Sequence, residues 1–214
     1  MSDFSIARSE LILGGQKSGK SRRAELLARD WLARSASHRA VMIATAQPWD
    51  DEMRQRIARH QVDRAERVPG MHTVEEPLKL AEALQTHSRL DTLIVVDCLT
   101  LWLTNCMMPC DTELPTDTPA NTPVHTDASQ EFTRNQPLAL MNKARVALLL
   151  EAVSQAPGPL LLVGNEIGLG VIPLGREVRA FVDALGLLNQ SVAGACQRVT
   201  LMAAGLPLTL KDVT

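Results

Sequence analysis

A glycine-rich segment near the amino terminus has the residue types and spacing of a phosphate-binding loop. The segment, Gly14-Gly15-Gln16-Lys17-Ser18-Gly19-Lys20-Ser21, fits the pattern G-x-x-x-x-G-K-[ST]. Its glycines permit backbone angles that turn several N–H groups towards one anion, and a following helix adds its positive N-terminal end. We expect Lys20 to meet the β- and γ-phosphates of a nucleotide and the Ser21 hydroxyl to hold Mg²⁺.

The segments around this loop provide the context that phosphate binding requires. The apolar run from Glu10 to Leu13 predicts a buried strand before the loop, and residues 21–35 predict a helix after it. A glycine-rich turn that only resembles the motif would need neither the strand before it nor the helix after it. Asp97 ends TLIVVD, which is apolar on both faces as a central parallel strand should be. We therefore expect Asp97 to be a second Mg²⁺ ligand, the alternative being an ordinary polar strand terminus.

A second group of residues with chemical potential lies between residues 50 and 64. Glu52, Arg56, His60 and Arg64 are each four residues apart, which places them on one face of a predicted helix. Such spacing is usually a solvated, salt-bridged face. The functional interpretation is that the His60 imidazole attacks phosphorus while the two arginines hold phosphate oxygens. The residues alone leave both interpretations open.

Strands alternate with helices along most of the chain, which predicts an α/β fold with a mostly parallel sheet and helices on both faces. We expect one domain, residues 1–214, with a flexible insertion at about 109–136 that holds four prolines. The remaining predicted strands are 40–45, 159–163, 198–203 and an edge strand at 207–210, and the remaining predicted helices are 77–84, 138–156 and 176–195.

Composition excludes several classes of protein. The 214 residues are 45% hydrophobic and 21% charged, which suits one domain with a real core. A formal net charge of -2 argues against nucleic-acid binding, and no apolar stretch approaches the ~18 residues of a membrane span. The four cysteines form no CxxC pair or common zinc pattern. Together with a start that lacks a secretory signal, they predict reduced thiols and a cytoplasmic location.

Taken together, these segments resemble the bifunctional adenosylcobinamide kinase / adenosylcobinamide-phosphate guanylyltransferase family. The resemblance covers almost the whole chain except residues 109–136. The phosphate loop alone is generic, whereas the histidine segment together with the NE-x-G-x-G-x-x-P segment is highly specific. The matching stretches are LILGGQKSGKSRRAE, IATAQPWDDEMRQRIARHQVDR, VVDCLTLWLTN, VGNEIGLGVIP and LGLLNQSVA.

The resemblance implies a RecA-like P-loop NTPase fold and two successive reactions. Adenosylcobinamide would be phosphorylated with ATP or GTP, and GMP would then pass from GTP to adenosylcobinamide phosphate through a histidine–GMP intermediate. His60 stands at the matching histidine position. The product would be adenosylcobinamide-GDP, in cobalamin biosynthesis. The family also implies Mg²⁺ and a homo-oligomer, with a trimer as the candidate state and a site shared between subunits.

The resemblance adds further expected site residues. Thr45 and Glu75 join the expected nucleotide contacts, beside Arg56 and Arg64. Asn165-Glu166 follows a predicted strand, where α/β sites cluster, and is expected on the substrate side, the alternative being a capping or turn pair. We interpret Asn189-Gln190 as a packing or interface feature rather than as catalytic residues.

The sequence departs from the family pattern at three places. Gln16-Lys17 stands where Ala-Arg is common, and the insertion at 109–136 is longer than the family's loop. His72 stands where tryptophan is frequent, which puts base selection in doubt if that tryptophan stacks on a base. Two other functions remain: a small-molecule P-loop kinase without guanylyl transfer, for which His60 would be a surface residue, and a nucleotide-sensing module without turnover.

Overall fold

The computed structural model describes residues 5–48, 50–108 and 128–213. For residues 56 and 128–141 it describes the backbone but not the side chains. Strands and helices alternate along most of the chain. The strands are β1 (Ser9–Gly14), β2 (Arg39–Ala44), β3 (Met71–Glu75), β4 (Thr92–Asp97), β5 (Leu160–Asn165), β6 (Arg198–Ala203) and β7 (Leu206–Asp212). The helices are α1 (Lys20–Arg34), α2 (Asp51–Arg67), α3 (Leu80–His87), α4 (Leu99–Met107), α5 (Ala128–Gln155) and α6 (Arg176–Ala195).

One seven-stranded sheet organises the chain, in the order β3-β2-β4-β5-β1-β6-β7. Every pair is parallel except β6 and β7, which are antiparallel. The predicted α/β fold with a mostly parallel sheet is therefore confirmed. Because the strands are parallel, β1, β2, β4 and β5 all end at the same edge, which we call the carboxyl edge. The predicted phosphate loop, Asp97 and Asn165 all lie there.

Helices cover both faces of the sheet, which explains why its central strands are apolar throughout. Along β1, Leu11 and Leu13 pack with residues of α3, α4, α5 and α6, whereas Ile12 packs with residues of α1. This alternation follows from the two-residue period of a strand. A strand buried on both faces needs no polar positions, so β1, β4 and β5 present nearly continuous apolar runs.

The structure differs from the sequence prediction around Pro77. The predicted helix at 77–84 in fact begins at Leu80. The Glu76 carboxylate accepts hydrogen bonds from the backbone N–H groups of Leu78 and Lys79, so these residues form a turn before the helix. Strand β3, which we did not predict, precedes this turn and, among the described strands, pairs with β2 alone. Its short mixed sequence, MHTVE, lacks the apolar run that identified the central strands.

Strands β6 and β7 form a hairpin, and its two-residue turn has the backbone angles that such a hairpin favours. The predicted edge strand at 207–210 is confirmed and extends over Leu206–Asp212. Ala204 and Gly205 connect it to β6 with φ angles of 52° and 80°. Two successive positive φ values match the twist of adjacent antiparallel strands.

The predicted insertion at about 109–136 lies outside the described residues up to 127, whereas residues 128–136 belong to α5. No helix in the described part of the chain has the length and apolarity to cross a membrane.

A buried ion cluster ties α1 to the sheet below the phosphate loop. Glu10 on β1 is fully buried, and its carboxylate lies 3.0 Å from the Arg23 guanidinium on α1 and 3.7 Å from that of Arg198 on β6. The Thr200 hydroxyl donates a further hydrogen bond to Glu10 at 2.8 Å. A buried carboxylate is tolerable because these partners compensate for lost hydration. The cluster thus couples the first turns of α1 to two strands.

Glu10→Gln is expected to lower the free energy of unfolding by about 3 kcal/mol, because it leaves the largely shielded Arg23 guanidinium, with 12% of its side chain exposed, facing a neutral amide. Asp30→Asn is the matched control, since Asp30 pairs with Arg34 at the surface with over 40% of each side chain exposed. There we expect a loss below about 1 kcal/mol. Urea unfolding measures both values, and equal losses for the two variants would contradict this role of Glu10.

Candidate functional site

The predicted phosphate loop joins β1 to α1 and has the backbone angles of an anion cradle. The φ angles of Gly14, Lys17 and Gly19 are 153°, 56° and 100°. Lys17 adopts the left-handed conformation although it is not glycine. The Ser18 N–H donates to the Gly15 carbonyl at 3.2 Å, and the Lys20 ammonium donates to the same carbonyl at 2.6 Å. The Lys20 side chain therefore folds back over the loop, where phosphates would bind.

The turn between β6 and β7 supports the loop from behind. The Gly205 N–H donates to the Ser18 carbonyl at 3.0 Å, and a Cβ on Gly19 would lie 3.3 Å from the Gly205 Cα. The contact at Gly14 is tighter, since a Cβ there would lie 2.5 Å from the Met202 carbonyl oxygen and 2.6 Å from the Ser18 hydroxyl. Glycine at position 14 is therefore a packing requirement as well as a conformational one.

Gly14→Ala is expected to lower the free energy of unfolding by about 1–3 kcal/mol, because its side chain would clash with backbone at an unfavourable φ. It should also weaken ATP binding more than ~10-fold by displacing the cradle. Gly15→Ala is the control for stability, since its Cβ would meet open space. Urea unfolding and equilibrium dialysis with ATP measure the two effects. Equal stability of the two variants would contradict the packing argument.

Lys20 and Asp97 converge at the carboxyl edge. Lys20 is only 8% exposed. Burial lowers the pKa of Lys20, and the negative charges of a Cys98 thiolate and of Asp97 act in the opposite direction. Burial also raises the pKa of the Cys98 thiol to about 11, so this thiol is neutral near pH 7. Asp97, the last residue of β4, is therefore the acid whose negative charge acts on Lys20, and its role as a Mg²⁺ ligand stays a prediction.

Thr45 positions the chain around Asp97. Its side chain is fully buried, and its hydroxyl donates to the Cys98 carbonyl at 2.7 Å and accepts from the Cys98 N–H at 2.9 Å. The Asn105 amide from α4 donates to the Thr45 carbonyl at 2.8 Å. With its hydroxyl occupied twice, Thr45 is better placed to hold β4 than to contact a nucleotide directly. Asn105 was not singled out from the sequence, because only the folded chain brings α4 against Thr45.

Helix α2 is held between β3 and α1. It begins after Asp50, whose carboxylate accepts from the Met53 N–H at 2.7 Å. Arg64 is buried and donates to the Thr73 hydroxyl at 3.3 Å, and Arg67 pairs with Glu25 of α1 at 2.9 Å. The Arg64 side chain thus packs against the sheet. The predicted face of the helix is divided: Glu52 and His60 are exposed, Arg64 is buried, and the Arg56 side chain lies outside the described residues.

His60 lies at the same edge of the sheet as Lys20, but on a different element. The Gln61 amide donates to the carboxylate of Glu75, the last residue of β3, at 3.1 Å. His60 is therefore level with the end of β3 and lies four residues, about 6 Å, nearer the start of α2 than Arg64. Four strand spacings, about 19 Å, separate β3 from β1. Among the described residues, no hydrogen bond or ion pair joins His60 to the phosphate loop.

Two other predicted positions fall on β3. Glu75 is exposed at the carboxyl edge and holds α2 through Gln61. His72 pairs in register with Val41 and lines a groove of about 430 Å³ with His38, His87 and Arg89 at the opposite edge of the sheet. A side chain there is remote from the phosphate loop of its own subunit. The side chain at position 72 therefore belongs to this groove and not to the nucleotide cradle of the same chain.

Asn165 and Glu166 adjoin the phosphate loop. Asn165 pairs in register with Gly14, and the Glu166 N–H donates to the Gly14 carbonyl at 3.1 Å. Thr100 accepts from the Asn165 N–H at 2.8 Å, and the Asn189 amide donates to the Asn165 carbonyl at 3.1 Å. Asn189 is buried in α6, whereas the neighbouring Gln190 is exposed, so the prediction of a packing or interface feature for this pair stays a prediction. Thr100 thus fixes the end of β5 and makes no side-chain cap on α4.

The residues of the loop fit a Mg²⁺–nucleotide complex better than a metal held by protein alone. Among the described residues, no group of three or more His, Cys, Asp and Glu could hold a metal ion. Mg²⁺ commonly takes one or two carboxylates and completes its shell with water and substrate phosphates. The half-buried Ser21 and Asp97 are one hydroxyl and one carboxylate at the cradle. The Ser18 hydroxyl is buried without a hydrogen-bond partner, so the cradle holds an unused polar group.

Comparison with known proteins gives consistent results. The family model described as cobinamide kinase / cobinamide phosphate guanyltransferase matches residues 10–210. The chain is 43% identical over 203 residues to the bifunctional adenosylcobalamin biosynthesis protein CobP of Pseudomonas aeruginosa, covering 94% of this chain and 96% of that protein. It is 30% identical to CobU of Escherichia coli over 201 residues and 31% identical to CobU of Salmonella typhimurium over 205 residues, each covering 94% of this chain and 98% of the relative.

A solved structure supports the fold alone. The structural study of project PH0250 from Pyrococcus horikoshii superimposes with a TM-score of 0.50 at 10% sequence identity, covering 98% of this chain and 88% of that one. At this identity the likeness concerns the arrangement of strands and helices and not the chemistry.

Proposed function

The chain belongs to the cobinamide kinase / cobinamide phosphate guanyltransferase family, and from this premise we propose how its residues carry out the two reactions. It is an enzyme of cobalamin biosynthesis with kinase and guanylyltransferase activities. The observation that carries the residue assignment is the convergence of Lys20 and Asp97 on a complete phosphate loop. His60 lies exposed at the same edge of the sheet.

In the kinase reaction, the hydroxyl of adenosylcobinamide attacks the γ-phosphorus of ATP or GTP. The bond from the γ-phosphorus to the β–γ bridging oxygen breaks, the nucleoside diphosphate leaves, and the proton of the attacking hydroxyl is released to water. Lys20 neutralises charge on the β- and γ-phosphates, and the loop N–H groups hold their oxygens. Ser21 and Asp97 would hold Mg²⁺, which when bound withdraws charge from the phosphate oxygens.

In the guanylyl transfer, the His60 imidazole attacks the α-phosphorus of GTP and pyrophosphate leaves. The resulting histidine–GMP phosphoramidate is attacked by an oxygen of adenosylcobinamide phosphate. The P–N bond breaks, His60 is regenerated, and adenosylcobinamide-GDP is formed. Arg56 is proposed to hold phosphate oxygens during this step, since it lies one helical turn from His60. Arg64 is proposed to orient the helix, which fits its burial against Thr73.

We further propose a homo-oligomer, with a trimer as the candidate state, in which His60 of one subunit serves the phosphate loop of another. Helix α2 and β7 lie at opposite sides of the sheet. Head-to-tail contact between two such different surfaces generates rings when the rotation closes. β7 supports this arrangement because it is an edge strand with exposed Leu206, Leu208 and Leu210. A cytoplasmic location stays a prediction.

Product analysis with the purified protein tests the assignment. Adenosylcobinamide with ATP should yield ADP, and later addition of GTP should yield pyrophosphate and adenosylcobinamide-GDP. GTP labelled at the α-phosphate should leave acid-labile label on His60 when no corrinoid is present. Release of ADP without protein labelling would instead identify a kinase that lacks guanylyl transfer. Nucleotide binding without any turnover would identify a sensing module.

A further inference from the structure

The segment after Glu166 is apolar and unusually exposed. Residues 167 to 174, called here the 167–174 loop, have the sequence IGLGVIPL and contain no polar side chain. Leu169 is 82% exposed, Val171 95%, Ile172 77% and Leu174 97%. Single exposed apolar residues are normal, but contiguous apolar patches mark ligand or partner sites. We therefore expect a ligand or a partner surface to cover this loop during function.

Hydrogen bonds at both ends hold the loop in place. The Gly168 N–H donates to the Glu166 carboxylate at 2.8 Å. At the other end, the Arg179 guanidinium of α6 donates to the Pro173 carbonyl at 2.9 Å and also to the Leu174 carbonyl. Because these bonds fix the chain while the apolar side chains stay in solvent, the outward apolar surface is a built feature of the fold.

The loop starts directly beside the phosphate cradle. The Glu166 N–H is bonded to the Gly14 carbonyl, so the 167–174 loop leaves the sheet one strand away from the phosphate loop. A cavity of about 500 Å³ lies under its first residues, between Leu169, Asn189 of α6 and Leu210 of β7. Any molecule that lies on the loop could therefore bring a peripheral group to a bound γ-phosphate.

We propose that the 167–174 loop is the surface that binds the corrin ring of the substrate, an inference that rests on the proposed function. The acceptor of the phosphate is a hydroxyl on a flexible arm of a broad macrocycle that carries many methyl groups. Such a ring binds through apolar contact, whereas the arm must reach the cradle. The 167–174 loop is an exposed apolar surface that begins beside the cradle at Gly14, and its lack of charge suits the methyl-bearing periphery of the ring.

The test uses Leu169→Ser and Leu174→Ser, combined in one variant. Both leucines are exposed, so folding should be retained and circular dichroism can verify it. We expect the Kd for cobinamide, measured by equilibrium dialysis through its visible absorbance, and the KM for adenosylcobinamide to rise at least ~10-fold. The KM for ATP and the labelling of protein by α-labelled GTP should not change. Leu90→Ser is the matched control, because Leu90 is 80% exposed at the opposite edge of the sheet.

The outcomes separate this inference from the proposed function. If the wild-type protein neither phosphorylates adenosylcobinamide nor takes label from GTP, the proposed function fails. If the wild-type protein is active but the double variant binds cobinamide like Leu90→Ser, the corrin assignment is overturned. Sedimentation tests the alternative that a second copy of the chain, and not the corrin ring, covers the 167–174 loop. A double variant that dissociates into smaller species would show that the loop is a subunit interface, which also overturns the proposal.

Discussion

Lys20→Ala is expected to lower both the kinase and the guanylyl-transfer rate by on the order of 10²–10³-fold. A single cradle serves the triphosphate in both reactions, so one substitution should damage both. The Lys20 ammonium is buried and lies 2.6 Å from the Gly15 carbonyl over the loop. At a position so well shielded from water, a positive charge interacts with phosphate far more strongly than at the surface. Removing it leaves the β- and γ-phosphates without their principal counter-charge.

Initial rates of ADP and pyrophosphate release measure the two losses. Lys79→Ala is the control, because Lys79 is an exposed lysine before α3, on the other side of the sheet from α1. It should keep both rates within about twofold of wild type. Loss of the buried charge should not unfold the protein, because burial opposes the charged form of Lys20. Full guanylyl transfer by Lys20→Ala would mean that the two reactions use separate nucleotide sites.

The local parts of the site were predictable from sequence because a short segment specifies them. The phosphate loop is eight consecutive residues between a strand and a helix, and its glycines allow two of its positive φ angles. The position of Asp97 at the carboxyl edge could be predicted for a similar reason, since parallel strands all end at one edge. These predictions needed only the direction of each strand and not its neighbours.

Long-range contacts explain what could not be predicted. A spacing of four residues places His60 and Arg64 on one helical face, but it does not reveal that β3 covers Arg64 and leaves His60 exposed. β3 itself was missed because an edge strand of mixed sequence has no apolar period. Glu10 pairs with Arg198, near the other end of the chain, so its buried cluster has no local signal. The Asn165 carbonyl likewise accepts its hydrogen bond from Asn189, on a helix that is distant in the sequence.

His60→Ala is expected to abolish formation of the protein–GMP adduct while the kinase reaction continues. Kinase activity requires the phosphate loop, to which His60 makes no hydrogen bond among the described residues. The two activities should therefore separate in this variant and not in Lys20→Ala. Guanylyl transfer should fall by at least ~10³-fold, because removing a covalent nucleophile removes the reaction path itself and not one stabilising contact. The kinase rate should stay within about threefold, since the exposed imidazole contributes little to packing.

His72→Ala is the matched control for the loss of a histidine. Its imidazole is also exposed, but it lines the groove at the opposite edge of the sheet, away from the phosphate loop of its own subunit, so both rates should stay within about threefold of wild type. Mixing experiments extend the argument to the oligomer. If His60 of one subunit serves the cradle of another, mixed oligomers of His60→Ala and Lys20→Ala chains should regain guanylyl transfer, because some sites then combine an intact imidazole with an intact cradle. Labelled adduct on His60→Ala protein would remove this residue from the reaction. Without recovery in verified mixed oligomers, each subunit must supply both groups, and α2 must then move by itself across the sheet edge.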